Sequence, residues 1–242
     1  MEIFGQTDIG RARRANQDAF GARLYGDAAV AVVCDGMGGA NAGEVASGIA
    51  VERFMSDIDA HFTSHATGGE WETTVAEAVQ HADDAVCERA DTDDDCRGMG
   101  TTLVAAIASG ERAVVANVGD SRAYHVSDGA ARRVTRDHSV VEDMVARGEI
   151  TKEQARRHPN RNLITRALGA APGEPPDVFS IPLKSGDYLI LCSDGLSNLM
   201  TCDELLAETR RGGELSEMCR RFIDETLRRG APDNVTVVII RV

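Results

Sequence analysis

Four aspartates, Asp35, Asp120, Asp194 and Asp233, stand at the edges of apolar runs, and this joining of buried strand to terminal carboxylate constrains the fold most strongly. AVAVVC precedes Asp35, AVVANVG precedes Asp120, YLILCS precedes Asp194 and VTVVII follows Asp233. Anions at the ends of buried strands are costly unless they meet a cation. Four of them converging on one small volume therefore imply a multivalent metal ion. Any one alone reads as a turn, because Asp bonds its own backbone and a following Gly supplies positive φ. Repetition at four strand edges shifts the reading to a metal centre. No CxxC or HExxH spacing competes for zinc, and hard carboxylate oxygens favour Mg²⁺ or Mn²⁺.

Strand-length apolar segments fall at about 2–8, 19–25, 28–34, 101–108, 112–118, 121–126, 187–192 and 235–241. The stretch 101–118 breaks at Ser109-Gly110 and 112–126 breaks at Gly119-Asp120, which predicts antiparallel hairpins at both places. Between the strand groups lie amphipathic stretches. One places Ala46, Ile49, Ala50, Phe54 and Ile58 on a single face, a second Val75, Ala78, Val79, Ala82 and Val86, and a third Leu215, Cys219, Phe222, Ile223 and Leu227. Each has one apolar side, so each is expected to pack on a sheet. Strands that pair among themselves, with long helices inserted between the groups, give an α+β layered fold with mainly antiparallel sheets. Nothing in the 242 residues looks like an interdomain linker, and one domain, 1–242, is expected.

Composition narrows the function. The formal charge of −13 disfavours nucleic acid as a substrate, because a phosphate backbone would be repelled. The start, MEIFGQTDIG, has neither a basic nor an apolar leader region, and no apolar run approaches the ~20 residues of a membrane span. A cytoplasmic protein without a membrane partner is expected. The six cysteines are irregularly spaced, as in a reducing compartment, and Cys34 beside Asp35 reads as a buried, inert thiol with a raised pKa.

Residues 137–170 stand apart. They hold few β-branched runs, a capping box at Thr151 and Gln154, and a cluster of Arg156, Arg157, Arg161 and Arg166 around His158-Pro159. This segment reads either as a lid that meets a negatively charged protein substrate or as a solvated helical insertion. The acidic run at 92–95 reads as a solvated loop.

A family pattern joins these pieces. It is carried by TDIGRARRANQD (7–18), VVCDGMGGANAGEVAS (32–47), GMGTTL (98–103), NVGDSRAY (117–124), TRDHS (135–139), NLITRALG (162–169), LCSDGLSN (191–198) and APDNVTVV (231–238). In these motifs, in order from end to end, the chain resembles the metal-dependent protein phosphatases of the PPM class, also called the 2C type, and specifically their bacterial serine/threonine members. The resemblance implies an αββα sandwich, two antiparallel sheets flanked by helices, with a small flap where 137–170 lies. It also implies roles. Asp35 would bridge two ions, with the Gly36 carbonyl on the second, and Asp194 and Asp233 would complete the first. Asp120, with Asp194, matches a weaker third metal position. Asp18 corresponds to the carboxylate that holds metal-bound water, and Arg13 to the guanidinium that grips the substrate phosphate; the lid reading of the arginine cluster, apart from the resemblance, adds Arg156, Arg157 and Arg161 as expected substrate contacts.

The chemistry accounts for these residue types. Phosphate monoesters hydrolyse so slowly unaided that enzymes supply up to ~10²¹-fold acceleration. Two ions lower the pKa of a shared water and screen the dianion from attack, and arginine offers a fork that lysine cannot match. The resemblance therefore implies hydrolysis of phosphoserine and phosphothreonine in proteins by direct attack of water, opposing a Hanks-type Ser/Thr kinase. The protein would act as a monomer, with a kinase, a forkhead-associated (FHA) protein and a secretion-system pathway as its setting. The alternatives are a phosphatase of an anti-sigma antagonist, a non-catalytic phosphoprotein-binding relative, and a two-metal nuclease, which the charge disfavours. Two departures stand out. Met37 occupies the place where many eukaryotic members carry a histidine that protonates the leaving group, which leaves His138 as a candidate, and Gln17 stands where some relatives have Glu. Ser193, Asn16 and Asn234 read as hydrogen-bonding strand-end and turn residues rather than as catalytic ones.

Overall fold

The structure, a computed structural model, describes residues 1–38, 42–64, 70–170 and 175–242. Residues 39–41 of the 32–47 motif lie outside the described residues. Two antiparallel sheets form. In the first the order is β1 (Glu2–Asp8), β11 (Val235–Arg241), β10 (Tyr188–Cys192), β7 (Arg122–Ser127) and β8 (Ala130–Arg133). In the second it is β2 (Asp18–Tyr25), β3 (Ala28–Met37), β5 (Leu103–Ser109), β6 (Arg112–Val118) and β9 (Asp177–Pro182), with the two-residue β4 (Gly100–Thr101) on β3.

Alternation along each strand builds the layers. Ala29, Ala31 and Val33 of β3, Val104 and Ala106 of β5, Ala113 and Val115 of β6, Leu189 and Leu191 of β10 and Val238 and Ile240 of β11 form the core between the sheets. Their neighbours Val30, Val32 and Cys34, with Leu103, Ala105 and Ile107, face the other way, toward α1 (Ala42–Ser64) and α2 (Trp71–Thr92). On the opposite side Ile190, Cys192, Val237 and Ile239 meet α6 (Cys202–Arg211) and α7 (Leu215–Arg228). The apolar faces read from the sequence are the buried ones: Phe54 and Ile58 in α1, Val75, Val79, Ala82 and Val86 in α2, and Cys219, Phe222 and Ile223 in α7. Among the described residues no helix is long and apolar enough to cross a membrane.

One expected hairpin is not formed. Strands β5 and β6 pair across Ser109-Gly110, but β6 and β7 lie in different sheets, so Gly119-Asp120 is a crossover between the sheets. Gly119 takes φ +101°, and a Cβ there would lie 2.6 Å from the Thr102 side chain. Asn117 Nδ2 donates to the Gly119 carbonyl at 3.2 Å and curls the chain away from its own sheet. An apolar run, a turn and another apolar run look the same in sequence whichever sheet receives the second strand. Strands β8 (AARR) and β9 (DVFSIP) and the polar helix α6 have no apolar run to announce them.

The register places the functional loops at one end. Pairs Asp18↔Asp35, Leu103↔Val118, Cys192↔Arg122, Cys192↔Val237, Asp8↔Val235 and Asn117↔Asp177 put the 9–17 loop at the same edge as the β6–β7 crossover, the ends of β3 and β10 and the starts of β9 and β11. The turns around Gly26, Gly110, Gly129 and Gly186 occupy the other end.

Candidate active site

At that end the positions facing between the sheets change from Ala, Val and Leu to acids, alcohols and amides. Continuing the alternation past the apolar core gives Asp35 after Val33, Thr102 before Val104, Asn117 after Val115, Ser121 before Ala123, Ser193 after Leu191 and Thr236 before Val238. Thr102, Asn117, Ser121, Ser193 and Thr236 are all buried. The four alcohols bond to one another, to backbone and to carboxylates, while Asn117 donates to the carbonyls of Gly119 and Arg136. Asn16 Nδ2 donates to Thr7 Oγ1 (2.9 Å), and that hydroxyl lies 2.7 Å from Thr236 Oγ1, which donates to Asp18 Oδ2 (2.6 Å). Ser193 Oγ donates to the same oxygen at 2.7 Å and accepts from Thr236 N at 3.0 Å. Thr102 Oγ1 accepts from Asp35 N at 3.0 Å and lies 2.7 Å from Ser121 Oγ. These bonds lace the two sheets together beneath the carboxylates.

Above this floor the acids crowd one another. Burial, then Asp18, Asp194, Asp120 and Asp233, hold the Asp35 carboxyl well above the usual carboxylate range. Asp18 is pushed up to about 7, first by burial and then by Asp194 and Asp233, against the pull of its two hydroxyl donors. Burial and Asp194 raise Asp120 to about 7, and burial and Asp233 raise Asp194 to about 6. The structure thus brings Asp18 together with all four strand-edge aspartates.

Two glycines permit the approach. A Cβ on Gly36 would lie 1.9 Å from the Gly43 carbonyl, and one on Gly195 would lie 1.9 Å from that of Asn234. The second contact sets Asp194, first residue of the short helix α5 (Asp194–Ser197), against the segment that carries Asp233. Asn234 also holds the 9–17 loop: its Nδ2 donates to the carbonyls of Ile9 (2.9 Å) and Ala15 (3.0 Å), and its Oδ1 accepts from Gln17 N (2.9 Å). That loop presents Arg13, half exposed, whose Nη2 lies 2.7 Å from Asp233 Oδ2.

This donor set fits hard divalent cations. Asp18 Oδ1 and Asp194 Oδ1 are buried without a hydrogen-bond partner, while their sister oxygens are engaged by Ser193 and Thr236 and by Asn198. Acceptors left bare among mutually repelling carboxylates are stabilised by a cation. Among the described residues no three His, Cys, Asp or Glu side chains already close into a cage.

Arg122 was not singled out in the sequence. It donates to Asp137 through Nε (2.9 and 3.1 Å) and Nη2 (2.6 Å), and reaches the Ser197 carbonyl of α5 at 3.4 Å. A lone arginine in the apolar strand RAYHVS is the signal that could have found it. His138 is buried with both ring nitrogens engaged, Nδ1 by Gly119 N at 3.1 Å and Nε2 by Arg166 Nη1 at 2.9 Å with Asp177 Oδ2 at 3.2 Å, so it is not poised to protonate a leaving group. The arginine cluster divides. Arg156, Arg157 and Arg161 are exposed, whereas Arg166 is held by Asp177 (3.0 Å) and the Pro175 carbonyl. Leading up to the cluster, α3 (Val140–Ala146) is capped by Ser139 and α4 (Lys152–Arg156), which ends on Arg156, by the expected Thr151–Gln154 box. Burial, then Asp18 and Asp35, push the Cys34 thiol well up, which keeps it protonated.

Known proteins share this sequence pattern and fold. A family model described as "Protein phosphatase 2C" matches residues 9–236. The chain is 40% identical over 236 residues to the serine/threonine phosphatase stp of Listeria monocytogenes, covering 97% of this chain and 93% of that one. The Mycobacterium tuberculosis serine/threonine phosphatase PstP/Ppp superposes with a TM-score of 0.90 at 35% identity, over 100% of this chain and 98% of that one. A structure of the PstP catalytic domain in complex with two manganese ions gives 0.85 at 34% identity, over 98% and 96%. Sequence, fold and the carboxylate end of the sandwich agree: the chain belongs to the protein phosphatase 2C family and is a serine/threonine phosphatase of its bacterial branch.

Proposed function

We propose that the protein removes phosphate from phosphoserine and phosphothreonine in proteins by direct attack of water, using two Mn²⁺ or Mg²⁺ ions and a weaker third. The observation that carries this reading is the set of five mutually repelling carboxylates at one end of the sandwich, faced by Arg13. Asp35 would bridge the two core ions, the Gly36 carbonyl would serve the second, Asp194 and Asp233 the first, and Asp120 the third. Bound there, the ions acidify a water and screen the phosphoryl dianion. Asp18 is held by Ser193 and Thr236 through one oxygen, and its bare Oδ1 is free to accept a proton from the attacking water and aim it. Arg13 leaves Asp233 and lays its fork on two phosphoryl oxygens. As the new P–O bond forms, the bond to the serine or threonine oxygen breaks. That alkoxide takes its proton from solvent in the cleft, because Met37 has none to give and His138 is committed elsewhere.

Residues 137–170 would form a flap inserted in the single 1–242 domain, with Arg156, Arg157 and Arg161 exposed to meet protein substrates. The phosphoproteins would come from a cognate Hanks-type kinase, including that kinase and an FHA-domain protein, and the phosphatase would act on them as a cytoplasmic monomer. The test is phosphate release from a phosphothreonine peptide by the purified protein with Mn²⁺. Activity should vanish in Asp35→Asn while its melting curve stays cooperative. Full activity in that variant, or no release by the parent protein, would sink the reading.

A further inference from the structure

His138 clamps the residue that precedes Asp120. Its Nδ1 accepts from Gly119 N at 3.1 Å, and its own backbone N donates to the Gly119 carbonyl at 2.9 Å. Gly119 has no room to yield on its other side, where Thr102 would meet any Cβ. Its Nε2 lies against the members of an ion pair, 2.9 Å from Arg166 Nη1 and 3.2 Å from Asp177 Oδ2, and Arg166 Nη1 donates to the other oxygen of that carboxylate at 3.0 Å. One ring thus joins the Asp120 crossover to Arg166 in the returning leg of the 137–170 segment.

The segment closes on the same residue. Thr165 N donates to the His138 carbonyl at 2.8 Å, Ser139 bridges Ile164, and Val140 N donates to the Leu163 carbonyl at 2.9 Å. The returning leg is then pinned again. Leu168 and Thr101 exchange backbone bonds of 2.9 and 3.0 Å, Gly169 N donates to the buried Asp83 at 2.7 Å, and Thr101 Oγ1 donates to the Asp35 carbonyl at 3.0 Å. Both legs therefore end on the backbone of segments that carry metal-site aspartates.

From this geometry we infer that His138 is a positioning residue that links the flap to the Asp120 carboxylate, so that seating a protein substrate on the flap tightens the third cation position, and filling that position steadies the flap. The inference rests on the reading of Asp120 as a third-ion ligand. By linkage the effect runs equally in both directions.

Two variants separate the halves of the ring. Asparagine at 138 can offer Oδ1 to Gly119 N but cannot reach Asp177, whereas alanine does neither. In His138→Ala, exchange of the Gly119 amide in metal-free protein should speed up. Mn²⁺ calorimetry should show the weakest site loosened by about fivefold or more with the two tighter sites unchanged. His138→Asn should keep both the Gly119 protection and the weak site, yet lose the tightening of that site that a phosphothreonine-mimic peptide produces in the parent protein. Unchanged Gly119 exchange in His138→Ala, equal loosening of all three sites, or intact peptide tightening in His138→Asn would overturn the link. If the parent protein binds only two ions, the assignment of Asp120 and the inference fail together, while the phosphatase reading stands on its own peptide assay. Should His138→Ala not fold, the peptide arm of His138→Asn decides.

Discussion

Stripped of metal, the protein should be more stable at pH 6 than at pH 8. Asp18 and Asp120 are pushed up to about 7 and Asp194 to about 6, in each case first by burial. Unfolded aspartate titrates near ~3.9, so between these values the folded state holds protons that the unfolded chain has lost. A carboxyl raised in this way makes stability fall as pH rises through its folded value. Moving from pH 8 to 6 adds roughly 1 kcal/mol for each group with a midpoint near 7, and less for one near 6. The protons belong to the carboxylates as a set; Asp18, Asp120 and Asp194 together give roughly 2 to 3 kcal/mol, and Asp35, also held well above the usual range, acts in the same direction. His138 opposes this: burial lowers its pKa, so the unfolded chain protonates there first and offsets part of the gain. The net gain of about 2 kcal/mol corresponds to a rise of roughly 4 to 8 °C in Tm for a chain of this size. Differential scanning fluorimetry in EDTA at pH 6, 7 and 8 reads it directly. Saturating Mn²⁺ should flatten the slope, because the ions keep the carboxylates ionised, and should raise Tm more at pH 8 than at pH 6. Asp18→Asn should remove about half of the slope. A Tm in EDTA that is level, or lower at pH 6, would show that these acids do not crowd one another in the folded protein, and the metal-site reading would lose its physical basis.

Other expectations follow from single contacts. Arg13→Lys keeps the charge but loses the fork, and should lower kcat/KM on phosphothreonine peptide by about 100-fold, with Mn²⁺ affinity retained on calorimetry; a loss of less than threefold would remove Arg13 from the phosphate site. Gly36→Ala drives a Cβ to 1.9 Å from the Gly43 carbonyl and should cost roughly 1 to 3 kcal/mol or more by urea titration, with Mn²⁺ binding weakened; wild-type stability would mean that the β3–α1 approach is looser than described. Replacing Arg156, Arg157 and Arg161 by glutamine should raise KM for a phosphoprotein while leaving p-nitrophenyl phosphate turnover within about twofold, since exposed charges act on a long substrate and not on a small one. Equal effects on both substrates would detach these arginines from recognition.

The sequence discloses the outer acids more readily than what supports them, and the reason is physical. Asp35, Asp194 and Asp233 adjoin runs such as AVAVVC and VTVVII, where a charge has no place unless something neutral or cationic meets it. Asp18 has no such run before it. Its place is set by register, opposite Asp35 across β2 and β3, and pairing register between segments separated by a turn is not written in either one. Only the family resemblance brought it forward. The α1, α2 and α7 faces were readable because a 3.6-residue apolar period has few other meanings. The sheet that receives β7 was not, because Gly119 marks a turn without stating its destination.

The missed residues share one property: they are polar in the sequence and interior in the fold. Thr102, Ser121 and Thr236 carry no signal of their own in the sequence and Ser193 reads only as a hydrogen-bonding strand end, yet each continues the inward face of an apolar strand by one more step of two. An alcohol at such a position must find a partner, and here the partners are backbone, carboxylates and one another at the acidic end of the sandwich. Alternation therefore carries information past the point where the apolar residues stop. Extending it by one position along β5, β7, β10 and β11 marks the floor of the site before any contact is known. The same extension along β6 reaches Asn117, whose amide fixes the Gly119 carbonyl and so aims Asp120. The aspartates supply the charge. The interior alcohols and Asn117, placed by strand parity, decide where that charge can stand.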